Sequence, residues 1–259
     1  RYADAQRFAT SHADAVSSQA AALVEALEAG ARALLLDESD SAPEFLALSA
    51  AAAALLPGVE SRVTPLAARA RQIADELGIS IVIGGSATVG DFIPVADTVL
   101  RVDQHQVSDI TQQAKSLAMK TPALKARSVD LSGLADRGRW VVPSSIDPGM
   151  GRFDATIDAT SVHNLRFGRT SVDLSRVCQI ADVYQTLTIG RILYYAKLRY
   201  LDEPRPIREV LDLIDRDLST EGLESLTRDL RGDLARPRRY EIAAALNRLG
   251  TLRITRPPE

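Results

Sequence analysis

Residues 31–42 read ARALLLDESDSA, an apolar run through Leu36 that stops abruptly at Asp37 and Glu38. A short apolar run bounded by polar residues predicts a buried strand. Upstream, SSQAAALVEALEAG (17–30) predicts a helix, with Ser at its start, Ala, Leu and Glu inside, and Gly30 beyond its last turn. Downstream, the Ala-rich FLALSAAAAALL (45–56) predicts a second helix. Thr64 and Pro65 open a third through Leu77, which Gly78 ends. ISIVIGGS (79–86) then reads as a buried strand running into a glycine pair, VADTVLRVD (95–103) as a further strand, and Ser108 to Met119 as a helix. Helices alternating with wholly apolar strands predict an α/β fold built on a parallel sheet covered on both faces. In such folds ligands sit outside the carboxyl ends of the strands.

Composition sets the wider frame. With 259 residues, 46% hydrophobic and 25% charged, the chain can bury a sizeable core, which excludes disordered, collagen-like and disulfide-scaffold classes. The single Cys178, next to Val177 and near Ile180, is expected to be a buried small hydrophobe. No apolar run reaches the roughly 18 residues a bilayer requires. The opening RYADAQRFATSHADAV lacks the apolar core of a signal peptide, so a cytoplasmic protein without membrane contact is expected. A pI near 5.7 argues against whole-surface attraction to nucleic acid.

Beyond Thr121 the texture changes to a stretch rich in Gly and Pro, including Pro122, Gly133, Pro143 and Pro148. We therefore expect one region over 1–121 and a second over 122–259 with short strands followed by helices. Val177, Ile180, Val183, Leu187, Ile192 and Tyr195 have helical spacing within 173–201, and two or three further helices are expected to end the chain.

The acidic pair carries the functional signal. A strand that delivers two carboxylates to a phosphate site can hold Mg²⁺ with the first, Asp37, and polarise an attacking water with the second, Glu38. The plainer reading is a polar exit from a buried strand. His12, His105 and His163 have no spacing that places two metal ligands on one face. Arg228, Arg231, Arg236, Arg238 and Arg239 form a basic run before YEIAAALNRL that could contact phosphate or single-stranded RNA. An ordinary solvated helix entrance, with Asp233 and Glu241 as ion partners, is the favoured reading of that run.

Asp37-Glu38-Ser39-Asp40-Ser41-Ala42 resembles the Walker B and D-loop of ABC-class ATPases, whose usual form is Asp-Glu-x-Thr-Ser-Ala. Three blocks extend the likeness: SSQAAALVEALEAGARALLLDE (17–38), IVIGGSATVGDFIPVADTVLRVDQHQVSDITQQAK (81–115) and GDLARPRRYEIAAALNRL (232–249). Together they resemble the predicted ATPases of the ABC class that carry no transporter spans. The resemblance implies part of a P-loop NTPase sheet with flanking helices, with ATP and Mg²⁺ as ligands. It implies that Ser17, Ser18 and Gln19 form the signature segment, whose free N–H groups and hydroxyls face ATP held by a second subunit. It also implies that Ser39, Asp40, Ser41 and Ala42 form the D-loop, and that Gly84, Gly85 and Ser86 occupy the switch position, where His is usual.

The family's Gly-x-x-x-x-Gly-Lys-[Ser/Thr] is missing, since Ala114-Lys115-Ser116 lacks both glycines. The chain also begins at Arg1. It is therefore read as the C-terminal part of a longer ATPase, inactive alone and forming a head-to-tail homodimer when complete. The alternative is an RNA-binding or scaffold module on a degenerate ABC-like framework, with Arg236, Arg238 and Arg239 making the contacts.

Overall fold

A computed structural model describes residues 10, 12–47, 64–86, 88–118, 130–135, 139–149, 155–227 and 232–255. The chain divides into two compact units, one of residues 1–24 and 31–132, the other of residues 25–30 and 133–259. The boundary expected near Thr121 lies outside the described residues, as does most of the predicted helix over 45–56, whose first two residues end a single helical turn, Pro43–Leu46.

In the first unit, helix α1 (Ala15–Glu28) starts two residues before the predicted Ser17. The reason is Asp14, whose Oδ1 accepts from the Ser17 N–H at 2.7 Å and whose carbonyl accepts from the Ser18 N–H at 2.9 Å. Strand β1 (Ala33–Asp37) follows, then the 3₁₀ turn Leu66–Ala68 and helix α2 (Ala70–Leu77). Gly78, at φ 65°, ends α2 by donating its N–H to the Ala74 carbonyl.

Strand β2 (Ser80–Gly84) pairs in parallel with β1, in a register running from Ala33 opposite Ser80 to Asp37 opposite Gly84. Period-two alternation buries Leu34, and Leu46, Leu66, Ile73 and Ile79 of the same unit are buried as well. The partner positions Leu35 and Val82 stay 80% and 56% exposed. The expectation of a sheet covered on both faces is thus corrected among the described residues, where only one face is packed.

Strand β3 (Leu100–Asp103) keeps only the last four residues of the predicted VADTVLRVD strand. Val95 and Ala96 donate instead to the Phe92 carbonyl, closing a turn. An unforeseen strand β4 (Gln106–Asp109) forms a hairpin with β3, and helix α3 (Thr111–Ala118) begins after it rather than at Ser108. Asp109 Oδ1 caps that start by accepting from the Thr111 N–H at 2.8 Å.

The hairpin turns on Gln104 and His105, at φ 45° and 64°. Two consecutive positive-φ residues make this a primed turn, which favours Asn-Gly; Gln and His are held there against their preference. Exchanging them together for Asn and Gly is expected to stabilise the chain by about 1 kcal/mol, read as a higher urea midpoint at unchanged slope. An unmoved midpoint would show that the turn stores no strain.

In the second unit, β6 (Ile157–Ser161), β7 (Asn164–Phe167) and β8 (Thr170–Asp173) form an antiparallel meander under helix α4 (Val183–Arg199). Helices α5 (Ile207–Thr220) and α6 (Arg239–Arg248) complete a core with Leu165, Val172, Ile189, Ile192, Leu211, Ile214 and Ile242. Burying each such side chain contributes about 2 kcal/mol.

A smaller sheet places β5 (Trp140–Val141) between β9 (Arg205–Pro206) and β10 (Ile254–Thr255). The last turn of α1 belongs to this unit, where Glu28 pairs with Arg139 and Glu25 with Arg248. The helical spacing read from Val177 is not a helix before Val183. Val177 and Ile180 donate backwards to Leu174 and Val177 in successive tight turns, and both side chains are buried. Cys178 between them faces outward and is exposed, which corrects its expected burial.

Candidate functional site

Parallel pairing of β1 and β2 brings their carboxyl ends together, Asp37 beside Gly84. The next residue continues the ladder, with the Glu38 N–H donating to the Gly84 carbonyl at 2.9 Å. The half-buried Glu38 side chain turns back over the glycine pair, and its Oε2 accepts from the Ser86 backbone N–H at 2.5 Å. Gly85 is what permits this approach. A Cβ there would lie 2.5 Å from Glu38 Cβ and 2.9 Å from Val89 Cγ1, distances that side chains do not tolerate. At Ser86, which the resemblance places at the switch position, it is the backbone N–H that meets the carboxylate. A Gly-Gly pair directly after a buried strand was the available signal.

Asp37 is exposed at the strand end. Its Oδ1 accepts from the Ser39 hydroxyl at 2.7 Å and the Ser39 N–H at 2.8 Å. These bonds, the hydroxyl's first, hold the carboxyl below the usual carboxylate range, so it is ionised at neutral pH. Among the described residues, no hydrogen bond to its Oδ2 is formed. The loop 38–42 is further fixed by Ser41, whose hydroxyl donates to the Asp37 carbonyl at 2.7 Å, while Asp40 is exposed. Gln19 on α1 meets the same loop, with Nε2 donating to Ser41 Oγ at 2.8 Å and Oε1 accepting from the Ala42 N–H at 2.8 Å.

Ser17 and Ser18 lie inside the first turns of α1, next to Gln19 in sequence. Their N–H groups are already bonded to Asp14, which corrects the expectation of free N–H groups there. Only their hydroxyls remain for a ligand to engage.

The C-terminal arginines are spread over separate partners. Arg236 donates to Ser219 Oγ at 3.0 Å and the Leu218 carbonyl at 3.4 Å. Arg238 pairs with Glu241 at 2.7 Å, and Arg239 with Asp212 at 2.7 Å and Asp215 at 3.0 Å. Arg228 and Arg231 lie outside the described residues. Among the described residues, no group of three or more His, Cys, Asp or Glu could hold a metal ion, and no helix is long and apolar enough to cross a membrane.

The profile of a family described as the ABC ATPase P-loop domain matches residues 1–134, just over half of the 259 residues. The chain belongs to the ABC ATPase family. Its α/β first unit is that of a P-loop NTPase, a domain class that binds nucleotide with Mg²⁺. A second profile, described as the MRB1590 C-terminal domain, matches residues 156–255. Comparison with curated proteins finds no match.

Within this ABC ATPase chain the donor set of Asp37 fits Mg²⁺. The cation takes one or two carboxylates together with substrate phosphates, and Asp37 offers an ionised carboxylate with one unused oxygen at the sheet's carboxyl edge. The phosphate cradle is a different matter. Gly85 and Gly90 have the spacing of the P-loop glycines, but Asp91 and Phe92 stand where Lys and Ser or Thr are needed.

Proposed function

We propose that this chain supplies the metal-holding and water-activating half of an ATP-hydrolysing site, whose phosphate cradle is furnished by residues other than these 259. The observation that carries this reading is the register of Asp37 against Gly84, which seats the Glu38 carboxylate on the Ser86 N–H. Asp37 Oδ2 is the ligand for Mg²⁺, which when bound neutralises phosphate charge. Glu38 accepts the proton of the attacking water through the carboxylate that Ser86 orients. The loop from Ser39 to Ala42 fixes Asp37 from behind. The hydroxyls of Ser17 and Ser18 face the nucleotide of a second copy, so the working form is a head-to-tail homodimer, placed in the cytoplasm.

In the RNA-binding alternative Arg238 and Arg239 would exchange the carboxylates of their own unit for phosphate, while Arg236 meets no carboxylate among the described residues. Such pairing lowers the gain from releasing counterions at a nucleic-acid backbone.

The test is phosphate release with Mg²⁺ and ATP, measured on the 259-residue chain alone and on the protein that joins it to a Gly-x-x-x-x-Gly-Lys-[Ser/Thr] segment. The chain alone is expected to show no turnover above background, because positioning and charge neutralisation at the phosphates supply most of phosphoryl-transfer catalysis. The joined protein is expected to turn over. Mg²⁺-dependent turnover by the chain alone overturns the division of labour, and silence in both overturns the hydrolytic reading.

A further inference from the structure

We propose that Gln19 is a positioning residue that clamps the loop 38–42 to α1 rather than a nucleotide contact; this rests on the hydrolytic reading above. A glutamine amide is planar and carries an acceptor on one side and donors on the other. Gln19 uses both sides on adjacent residues of one loop, Nε2 to Ser41 Oγ and Oε1 to the Ala42 N–H, each at 2.8 Å. Ser41 passes the connection on, since its hydroxyl donates to the Asp37 carbonyl at 2.7 Å. A continuous hydrogen-bonded line therefore runs from the second turn of α1 to the last residue of β1, which bears the candidate metal carboxylate.

Glu38, at the start of the loop, is tied to Gly84 and Ser86 at the end of β2, while Ser39 to Asp37 and the Ser41 N–H to the Glu38 carbonyl at 3.3 Å are short-range. The short-range bonds shape the turn, and Gln19 adds an anchor to α1 at the far end of the loop, on Ser41 and Ala42. Both polar ends of the Gln19 amide are bound to the half-buried loop, so swinging that amide round to a ligand would break both bonds. The chemistry of the clamp also orders its replacements. Glu keeps an acceptor for Ala42 and loses the donor to Ser41, whereas Ala loses both.

Two measurements decide the matter. In the 259-residue chain, hydrogen exchange at the Ala42 amide is expected to quicken about tenfold or more in Gln19→Ala and to stay within about threefold in Gln19→Glu. Exchange at Val172, in the core of the other unit, should be unchanged in both. An unchanged Ala42 rate in Gln19→Ala overturns the clamp.

In the ATP-hydrolysing protein, Gln19→Ala is expected to lower kcat about tenfold with KM for ATP within about twofold, and Gln19→Glu to recover most of that loss. A raised KM at unchanged kcat would make Gln19 a nucleotide contact and overturn the positioning role. An unchanged kcat and KM beside faster Ala42 exchange would also overturn it, leaving a clamp without consequence for the site. Absence of turnover in the unaltered protein would sink the hydrolytic reading instead, and the exchange measurement then decides the clamp by itself.

Discussion

Glu38→Gln is expected to lower kcat for ATP hydrolysis at least about a hundredfold in the hydrolysing protein while leaving KM for ATP within about threefold. The substitution keeps the shape of the side chain, and its amide oxygen can still accept from the Ser86 N–H that now meets Glu38 Oε2. What disappears is the capacity to take a proton. A hundredfold loss corresponds to about 2.7 kcal/mol of transition-state stabilisation, within the usual range for a positioned base. Because Asp37 and its Ser39 contacts are untouched, Mg²⁺ and nucleotide binding should persist, and sedimentation velocity should show the ATP-loaded variant accumulating as a dimer. An unchanged rate would remove Glu38 from the mechanism. A loss confined to KM would assign it to binding.

Asp217→Ala is expected to destabilise the second unit by about 3 kcal/mol, read from urea unfolding followed by circular dichroism. The Asp217 side chain is only 6% exposed, and its Oδ2 accepts from the hydroxyls of Tyr195, at 2.7 Å, and Tyr200. Arg199 and Arg216 approach it at 3.6 and 3.5 Å from exposed positions and add little in solvent. Most of the cost is therefore one buried and one half-buried phenol losing a charged acceptor. Tyr195 and Tyr200 stand edge to face, 6.1 Å between ring centroids, so both lose their orientation together. Asp217→Asn, which keeps an acceptor, should cost less than half as much, and equal losses would show that volume rather than hydrogen bonding matters.

The same network sets a pH dependence. Burial pushes the Asp217 carboxyl up, but the hydrogen bonds from both tyrosines and the two arginines outweigh it and leave it below the usual carboxylate range. Burial and the bond to Asp217 push both phenols above their ordinary value of 10.0. A lowered carboxyl contributes stability that is present above its ordinary value and lost as pH falls through the folded one. A raised phenol contributes stability that is full below 10.0 and lost as pH rises further. The unfolding midpoint should thus be flat near neutrality and fall in strong alkali, with a weaker alkaline fall in Asp217→Ala.

What the sequence disclosed followed physical locality. ALLLD and SIVIG were legible as strands because apolar runs ending in acids or glycines admit few other readings. Gly78 was legible as a stop because a left-handed cap needs it. The acidic pair and the Gly-Gly-Ser turn were likewise legible as candidate site elements, since each sits at a strand end.

The β3–β4 hairpin was hidden because Gln104-His105 lacks the residues that announce a primed turn. Asp14 was missed as the cap because Ser17 has equal capping chemistry three residues on. Gln19 and Ser41 are 22 residues apart, and Arg239 is 27 residues from Asp212, so no local pattern could pair them. Cys178 misled because apolar neighbours in sequence imply burial only when the backbone between them is regular.

That same cysteine has a practical value. One exposed thiol in a chain with no other cysteine is a natural attachment point for a single fluorophore, set between the buried Val177 and Ile180. Each copy of this 259-residue chain would carry one dye, so photobleaching steps in individual particles would count the copies present.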